Sequence, residues 1–227
     1  MRYKIASLAA AAIAFGGVQA ASAADMPVKA YKAAPVPYVF SWTGIYVGIN
    51  GGWAQDTIKT TAVNFVQPDT TGGAFGGHIG FNYQWSQFVL GAEVDGDWLG
   101  LKADAPCFNP AFNCHTEVNH QISLRGRLGA AFDRFLVYGT GGAAWTTLKG
   151  NTQFIATGVT FPDTSDRTGW IAGFGVEYAI WNNLIIGAEY LHADYRGKDM
   201  HYDVTYPDVK LTTDIVRARV SWLFNMH

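Results

Sequence analysis

The sequence predicts an all-β fold: eight antiparallel strands closing up-and-down into a transmembrane β-barrel. Three observations predict it. Apolar and polar residues alternate with period two in segment after segment, and helical periodicity is essentially missing. Short and long connections between these segments take turns along the chain. Whole charges sit in mid-segment opposite a very apolar side, and tryptophans sit near the segment ends.

Composition agrees. Of 227 residues, 15% are aromatic and only 15% charged, where an average soluble domain carries roughly 25% charged residues. So little charge excludes a disordered chain. A formal net charge of −2 with no basic block argues against nucleic acid as a partner. With 2 cysteines, no disulfide-rich scaffold is available.

Residues 1–23 read as a signal peptide. Arg2 and Lys4 give the positive start, residues 5–18 the apolar middle, and Ala21-Ser22-Ala23 the small-residue cleavage site. Residues 24–41, with three prolines and two lysines among small residues, read as an extended Pro/Ala-rich periplasmic tether. The barrel is expected over 42–227. After the leader no apolar stretch reaches 18 residues, so a spanning helix is not on offer.

The strands follow in order. Residues 43–53 form the first, less cleanly patterned. Residues 73–85 place Phe75, Ile79, Phe81, Tyr83 and Trp85 against His78, Asn82 and Gln84. Residues 88–98 set Phe88, Leu90, Val94 and Trp98 against Glu93, Asp95 and Asp97. Residues 118–132 oppose Val118, Ile122, Leu124, Leu128 and Phe132 to Asn119, Gln121, Ser123, Arg125 and Arg127. Residues 135–148 make the fifth. Residues 170–180 oppose Trp170, Phe174, Val176 and Tyr178 to a face of small residues carrying Glu177. Residues 184–195 make the seventh, with Glu189. Residues 214–224 oppose Val216, Val220, Trp222 and Phe224 to Arg217 and Arg219. Short turns are expected at 85–87, 133–134 and 181–183, and longer polar connections near 54–71, 100–116, 150–166 and 196–210. An even strand count with short periplasmic turns and long extracellular loops describes an outer-membrane barrel. Gly91-Ala92-Glu93 and Gly187-Ala188-Glu189 echo each other, which suggests a hairpin-level repeat.

Charge decides which face looks inward. A charge on the lipid face costs roughly 2–4 kcal/mol at mid-bilayer, so the polar faces should line the lumen. Glu93, Asp95, Asp97, Glu177 and Glu189 then face Arg125, Arg127, Arg217 and Arg219 in near balance. An eight-stranded barrel is just wide enough for side chains to fill it. The expectation is a lumen plugged by ion pairs, with Gly76, Gly80, Gly91, Gly129, Gly142, Gly173, Gly175 and Gly187 making room for the long chains. The alternative use of the same residues is a narrow channel for small polar solutes. Trp53, Trp85, Trp98, Trp145, Trp170, Trp181 and Trp222 should form the two interfacial girdles.

Other residues attract plainer readings. Cys107 and Cys114, followed by His115 and His120, could hold zinc, but export favours a disulfide closing this loop. Residues 139–144, GTGGAA, match a loose dinucleotide fingerprint, yet a strand continues where a helix should open. Asp95 and Asp97 share a strand face and suit ion pairing with Arg125 or Arg127 better than acid–base catalysis. The sequence implies no enzyme, no cofactor and no metal. The polar connections carry aromatics (Phe108, Phe112, Tyr202, Tyr206) suited to an unidentified surface ligand.

The run ASAAD, MPVKA, SWTGIYVGINGGW, VYGTGGAAW and the final RARVSWLF resembles the small porin-like outer-membrane proteins of alphaproteobacteria, those of rhizobia and brucellae. It is distantly similar to the OmpA and OmpX barrels. The resemblance covers essentially the whole chain after the leader. It implies an eight-stranded barrel in the cell outer membrane, contributing to envelope integrity and surface exposure, among lipid and lipopolysaccharide. Some members are described as porins or haem binders, but no haem-ligand segment carries over to this sequence. Such barrels finish on an aromatic read by the assembly machinery. Phe224 would match it, with Asn225, Met226 and His227 following.

Overall fold

The computed structural model describes residues 40–60, 69–106, 111–201 and 205–225. The signal peptide and all but the last two residues of the tether lie outside the described residues. Eight strands run in chain order: β1 (Gly44–Thr60), β2 (Thr70–Trp85), β3 (Phe88–Pro106), β4 (Phe112–Phe132), β5 (Phe135–Phe154), β6 (Thr160–Ala179), β7 (Leu184–His201) and β8 (Thr205–Asn225). Each pairs antiparallel with the next, and β8 pairs back onto β1 from Gly44↔Asn225 to Thr60↔Val209. The ring leaves no edge through the apolar zone, which is what a bilayer demands of any sheet that crosses it.

Tight turns join the strands at one end. Ser86 and Asp133 each open a two-residue turn with positive φ, 57° and 53°. Every such turn is tied to the neighbouring hairpin: Ala131 N–H donates to Gln87 O (2.6 Å), Ala179 N–H to Arg134 O (2.9 Å) and Leu223 N–H to Asn183 O (2.7 Å).

The other end differs from the sequence-based expectation. Residues expected as long polar connections continue the ladders: β3 and β4 pair up to Pro106↔Asn113, and β5 and β6 up to Gln153↔Thr160. Much of 100–116, 150–166 and 196–210 is therefore strand. Beyond the bilayer both sheet faces can meet water, so the lipid-facing alternation fades while backbone pairing persists. Bulges at Trp98/Leu101, Val118/Gln121 and Tyr195/Lys198 accompany the change. Val118, expected on the outward face with Ile122, is buried instead, because the bulge in β4 shifts the alternation between it and Gln121.

The interior is layered. Along the inward face of β8 the buried residues read Leu223, Ser221, Arg219, Arg217, Ile215, Thr213, Leu211 and Val209, from the tight-turn end outward. Apolar residues bound a polar middle on both sides. Below lies a cluster of Phe40, Trp42, Val89, Leu136, Ile185 and Leu223. Above lies a second of Leu99, Leu101, Val118, Leu148, Leu191 and Leu211, interleaved with buried Asp56, Gln121, Arg167 and Thr213. Fully burying a side chain such as Leu or Phe contributes about 1.5–3 kcal/mol, so both layers stabilise closure.

The echo seen in the sequence is a repeat of half the barrel. Across β1 to β4, Tyr46, Gly80, Glu93 and Arg125 stand side by side in register. Across β5 to β8, Tyr138, Gly175, Glu189 and Arg217 do the same.

Candidate functional site: the closed lumen

The polar middle is built from strands four apart. β3 and β7 supply Glu93 and Glu189; β4 and β8 supply the Arg125/Arg127 and Arg217/Arg219 pairs, each spaced two residues so that both chains point inward. All nine charged residues named from the sequence are buried, none more than 3% exposed.

Glu93 and Glu189 are twin hubs, bridged by Arg219, whose Nη1 lies 3.0 Å from Glu189 Oε2. Arg219 grips Glu93 with both ends of its fork, Nη1 to Oε1 at 2.9 Å and Nη2 to Oε2 at 2.5 Å. Arg125 Nη2 reaches its Oε1 at 2.5 Å, and the Tyr46 hydroxyl donates to Oε2 at 2.7 Å. Glu189 accepts from Arg217 Nε and Nη2 at 2.9 and 2.7 Å, Arg125 Nη1 at 3.1 Å and the Tyr138 hydroxyl at 3.0 Å. Asp95 lies between Arg125 (3.1 Å) and Arg217 (2.9 Å) and accepts from Ser123 Oγ. Asp97 meets Arg217 Nη1 at 2.5 Å. Glu177 takes Arg127 Nη2 at 2.7 Å, and that guanidinium lies 3.8 Å from the Tyr138 ring centroid. Planar forks matched to carboxylates across the lumen suit arginine and would not suit lysine.

The expectation paired Asp95 and Asp97 with Arg125 or Arg127; Asp95 meets Arg125 and also Arg217 from the far wall, whereas Asp97 meets Arg217 instead, because barrel closure brings β8 across the lumen. Asp95 and Asp97 are committed to guanidinium groups and form no acid–base pair facing a cleft. The inward glycines divide. Gly187 lies against the Glu177 side chain, whereas Gly80 and Gly175 are covered by the rings of Tyr46 and Tyr138 rather than by arginine or glutamate chains. A β-carbon at either position would run into the tyrosine hydroxyl.

The cap at the tight-turn end was not legible as such. Phe40, assigned by composition to the tether, is 1% exposed, and Trp42 is 0% exposed. Their rings meet edge-on at 5.1 Å. Trp42 donates Nε1–H to Asp133 O (3.1 Å) and N–H to Gln84 Oε1 (2.8 Å), while Arg134 stacks over Phe40 at 5.6 Å. Gly44, at φ +153°, turns the chain from this cap into the wall. Also unnamed from the sequence were Tyr46 and Tyr138; their position two strands from each glutamate is visible only once register is known. His78, on the polar face of β2, lies in the lumen with Nε2 2.8 Å from Ser221 Oγ.

The seven outward tryptophans are all on the lipid side, from 41% exposed at Trp145 to 75% at Trp53. Trp85, Trp181 and Trp222 lie at the tight-turn end; Trp53, Trp98, Trp145 and Trp170 lie toward the other. Phe224 also faces outward, at 52% exposed, and pairs with Ile45 of β1. Cys107 lies outside the described residues, and with it the expected bond to Cys114. Phe108 and Tyr202 lie outside them too.

Comparison with known proteins agrees with this architecture. A family model described as the outer membrane protein beta-barrel domain matches residues 8–224. The chain is 34% identical over 239 residues to a 31 kDa outer-membrane immunogenic protein of Brucella melitensis, covering 96% of this chain and 99% of that protein. It is 34% identical to a 22 kDa outer membrane protein of Rhizobium leguminosarum bv. viciae, over 89% of this chain and 90% of that one. Among solved structures, a major outer membrane protein from Thermus thermophilus shares the fold at a TM-score of 0.50 and 10% identity, covering 80% of this chain and 99% of that one. The chain is a member of the outer-membrane β-barrel protein family and resides in the outer membrane, among its lipid and lipopolysaccharide.

Proposed function

We propose that this barrel is a closed, non-enzymatic envelope protein: a rigid body that reinforces the outer membrane and displays its extracellular hairpins. The observation that carries this reading is the stacking of three barriers in one lumen. Phe40 and Trp42 cap one end, the Arg–carboxylate network fills the middle, and the Leu99/Leu211 cluster fills the level above. A hydrated solute path would have to separate guanidinium groups from buried carboxylates, and removing one partner of such a pair costs about 3–5 kcal/mol. The buried acids are engaged with arginines behind apolar layers, which supports a role without catalysis. Swelling of liposomes carrying refolded protein in a small sugar tests the reading. Swelling no faster than in empty liposomes is expected, and rapid swelling would favour the narrow porin-like channel instead.

The remaining assignments follow from this reading. The outward tryptophans anchor the barrel at the two interfaces. Phe224 serves as the aromatic presented to the outer-membrane assembly machinery, with residues 225–227 trailing it. Cys107 and Cys114 form a disulfide in the β3–β4 hairpin tip, as export favours. A mass gain of about two protons on reduction is expected from intact protein, and an unchanged mass would contradict the bond.

A further inference from the structure

The inward apolar face continues past the level at which the barrel is closed. β6 pairs with β7 only from Gly169↔Tyr195 toward the tight-turn end, whereas β6 pairs with β5 up to Thr160. Beyond that level single bonds replace the β6–β7 ladder, Lys198 Nζ to Asp166 O at 2.6 Å and His201 N–H to Asp163 Oδ2 at 2.8 Å, while the β4–β5–β6 sheet runs on to its outer end. Phe112, Phe154 and Phe161 cluster there. Phe112 lies 5.1 Å from Phe154 and 6.5 Å from Phe161, centroid to centroid. With Thr157 and Val159 they line an open depression of about 230 Å³. Phe161 is 39% and Val159 50% exposed, whereas Leu148 and Leu211 lower in the same interior are fully buried.

Position and charge limit what could fill it. Phe154 stands nine residues beyond Trp145, roughly 30 Å along an extended strand, so the bilayer that holds the barrel does not reach it. No charged residue occurs between Asp104 and His115, or between Lys149 and Asp163. The Thr157 hydroxyl is the one side-chain polar group among the lining residues. Nothing in the lining would pair an anion, a phosphate or an ammonium, and burying any of these without a partner is strongly unfavourable.

We propose that this phenylalanine cluster is an extracellular binding site for uncharged hydrophobic small molecules, in the size range of one aromatic ring with a short substituent. It lies apart from the closed lumen and needs no passage through it. Benzyl alcohol is a suitable probe, with benzoate and benzylamine as anionic and cationic counterparts. The protein would be held in lipid nanodiscs with methyl-labelled valine, isoleucine, leucine and threonine, and titrated by NMR. Saturable shifts are expected at Val159 and Thr157, with affinity about tenfold weaker or worse for the two charged probes. Ile79 and Leu128, on the lipid face, should shift without saturating as the probe partitions into lipid. Phe161→Asn and Val159→Asn, both outside the membrane-spanning part, should abolish saturation at Thr157 while leaving the lipid-facing signals unchanged. Three results would overturn the proposal: shifts at Val159 that track those of Ile79, saturation that survives both substitutions, or broadening of Val159 with protein concentration alone, which would mean that a second copy covers the face.

Discussion

Tyr46 and Tyr138 perform one task in two halves of the barrel. Each lies across the inward glycine of the next strand, Gly80 or Gly175, and donates its hydroxyl to the glutamate one strand further on. The bonds measure 2.7 Å to Glu93 and 3.0 Å to Glu189. Tyr138→Phe should therefore cost about 1–3 kcal/mol, because a buried carboxylate loses a donor, and Tyr46→Phe should cost more, because Arg127 Nη1 also loses the hydroxyl it donates to at 2.7 Å. Urea unfolding followed by tryptophan fluorescence checks this; a larger loss at Tyr138 than at Tyr46 would contradict it.

Glu93 and Glu189 should be the least replaceable acids. Glu189 receives Arg125, Arg217 and Arg219 together with Tyr138, and Glu93 receives Arg125, Arg127 and Arg219 together with Tyr46. Glu93→Gln keeps the volume but leaves three guanidinium groups short of charge, and a loss of about 3–5 kcal/mol is expected. Glu117, whose partner Lys102 is largely exposed, is the control: Glu117→Gln should change stability by less than about 1 kcal/mol. Equal effects in the two variants would contradict the hub role.

Trp42 separates stability from closure. Trp42→Ala empties most of the cap and should cost about 3–5 kcal/mol. It should not open a conducting path, because the Glu93 and Glu189 layer lies intact above it. Heat-modified gel migration reports the first effect and bilayer current the second. Current through this variant would mean that the cap, and not the ion pairs, is the seal.

The strands that cross the bilayer were legible because lipid and lumen impose opposite demands on alternate residues. Val94 beside Glu93 and Leu128 beside Arg127 leave no doubt about which side is which. That logic ends at Trp98 and Trp145. Beyond them, Lys102, Glu117 and Thr164 read as loop because polar residues appear on both parities, yet the ladder continues. The nine lumen charges could be named for the same reason as the strands. Their partners could not: Arg217 meets Asp95 from β8, 122 residues away in sequence, and only barrel closure brings them together. Phe40 and Trp42 were hidden by a neighbourhood of prolines and alanines, whose composition describes a tether and says nothing of where its last residues dock.

Single-channel recording on purified, refolded protein in a planar bilayer addresses the sealed lumen most directly. The ion-paired middle, bounded by the Trp42 cap and the Leu99/Leu211 layer, predicts a silent bilayer at moderate voltage. Steady, uniform openings from the unaltered protein would contradict it.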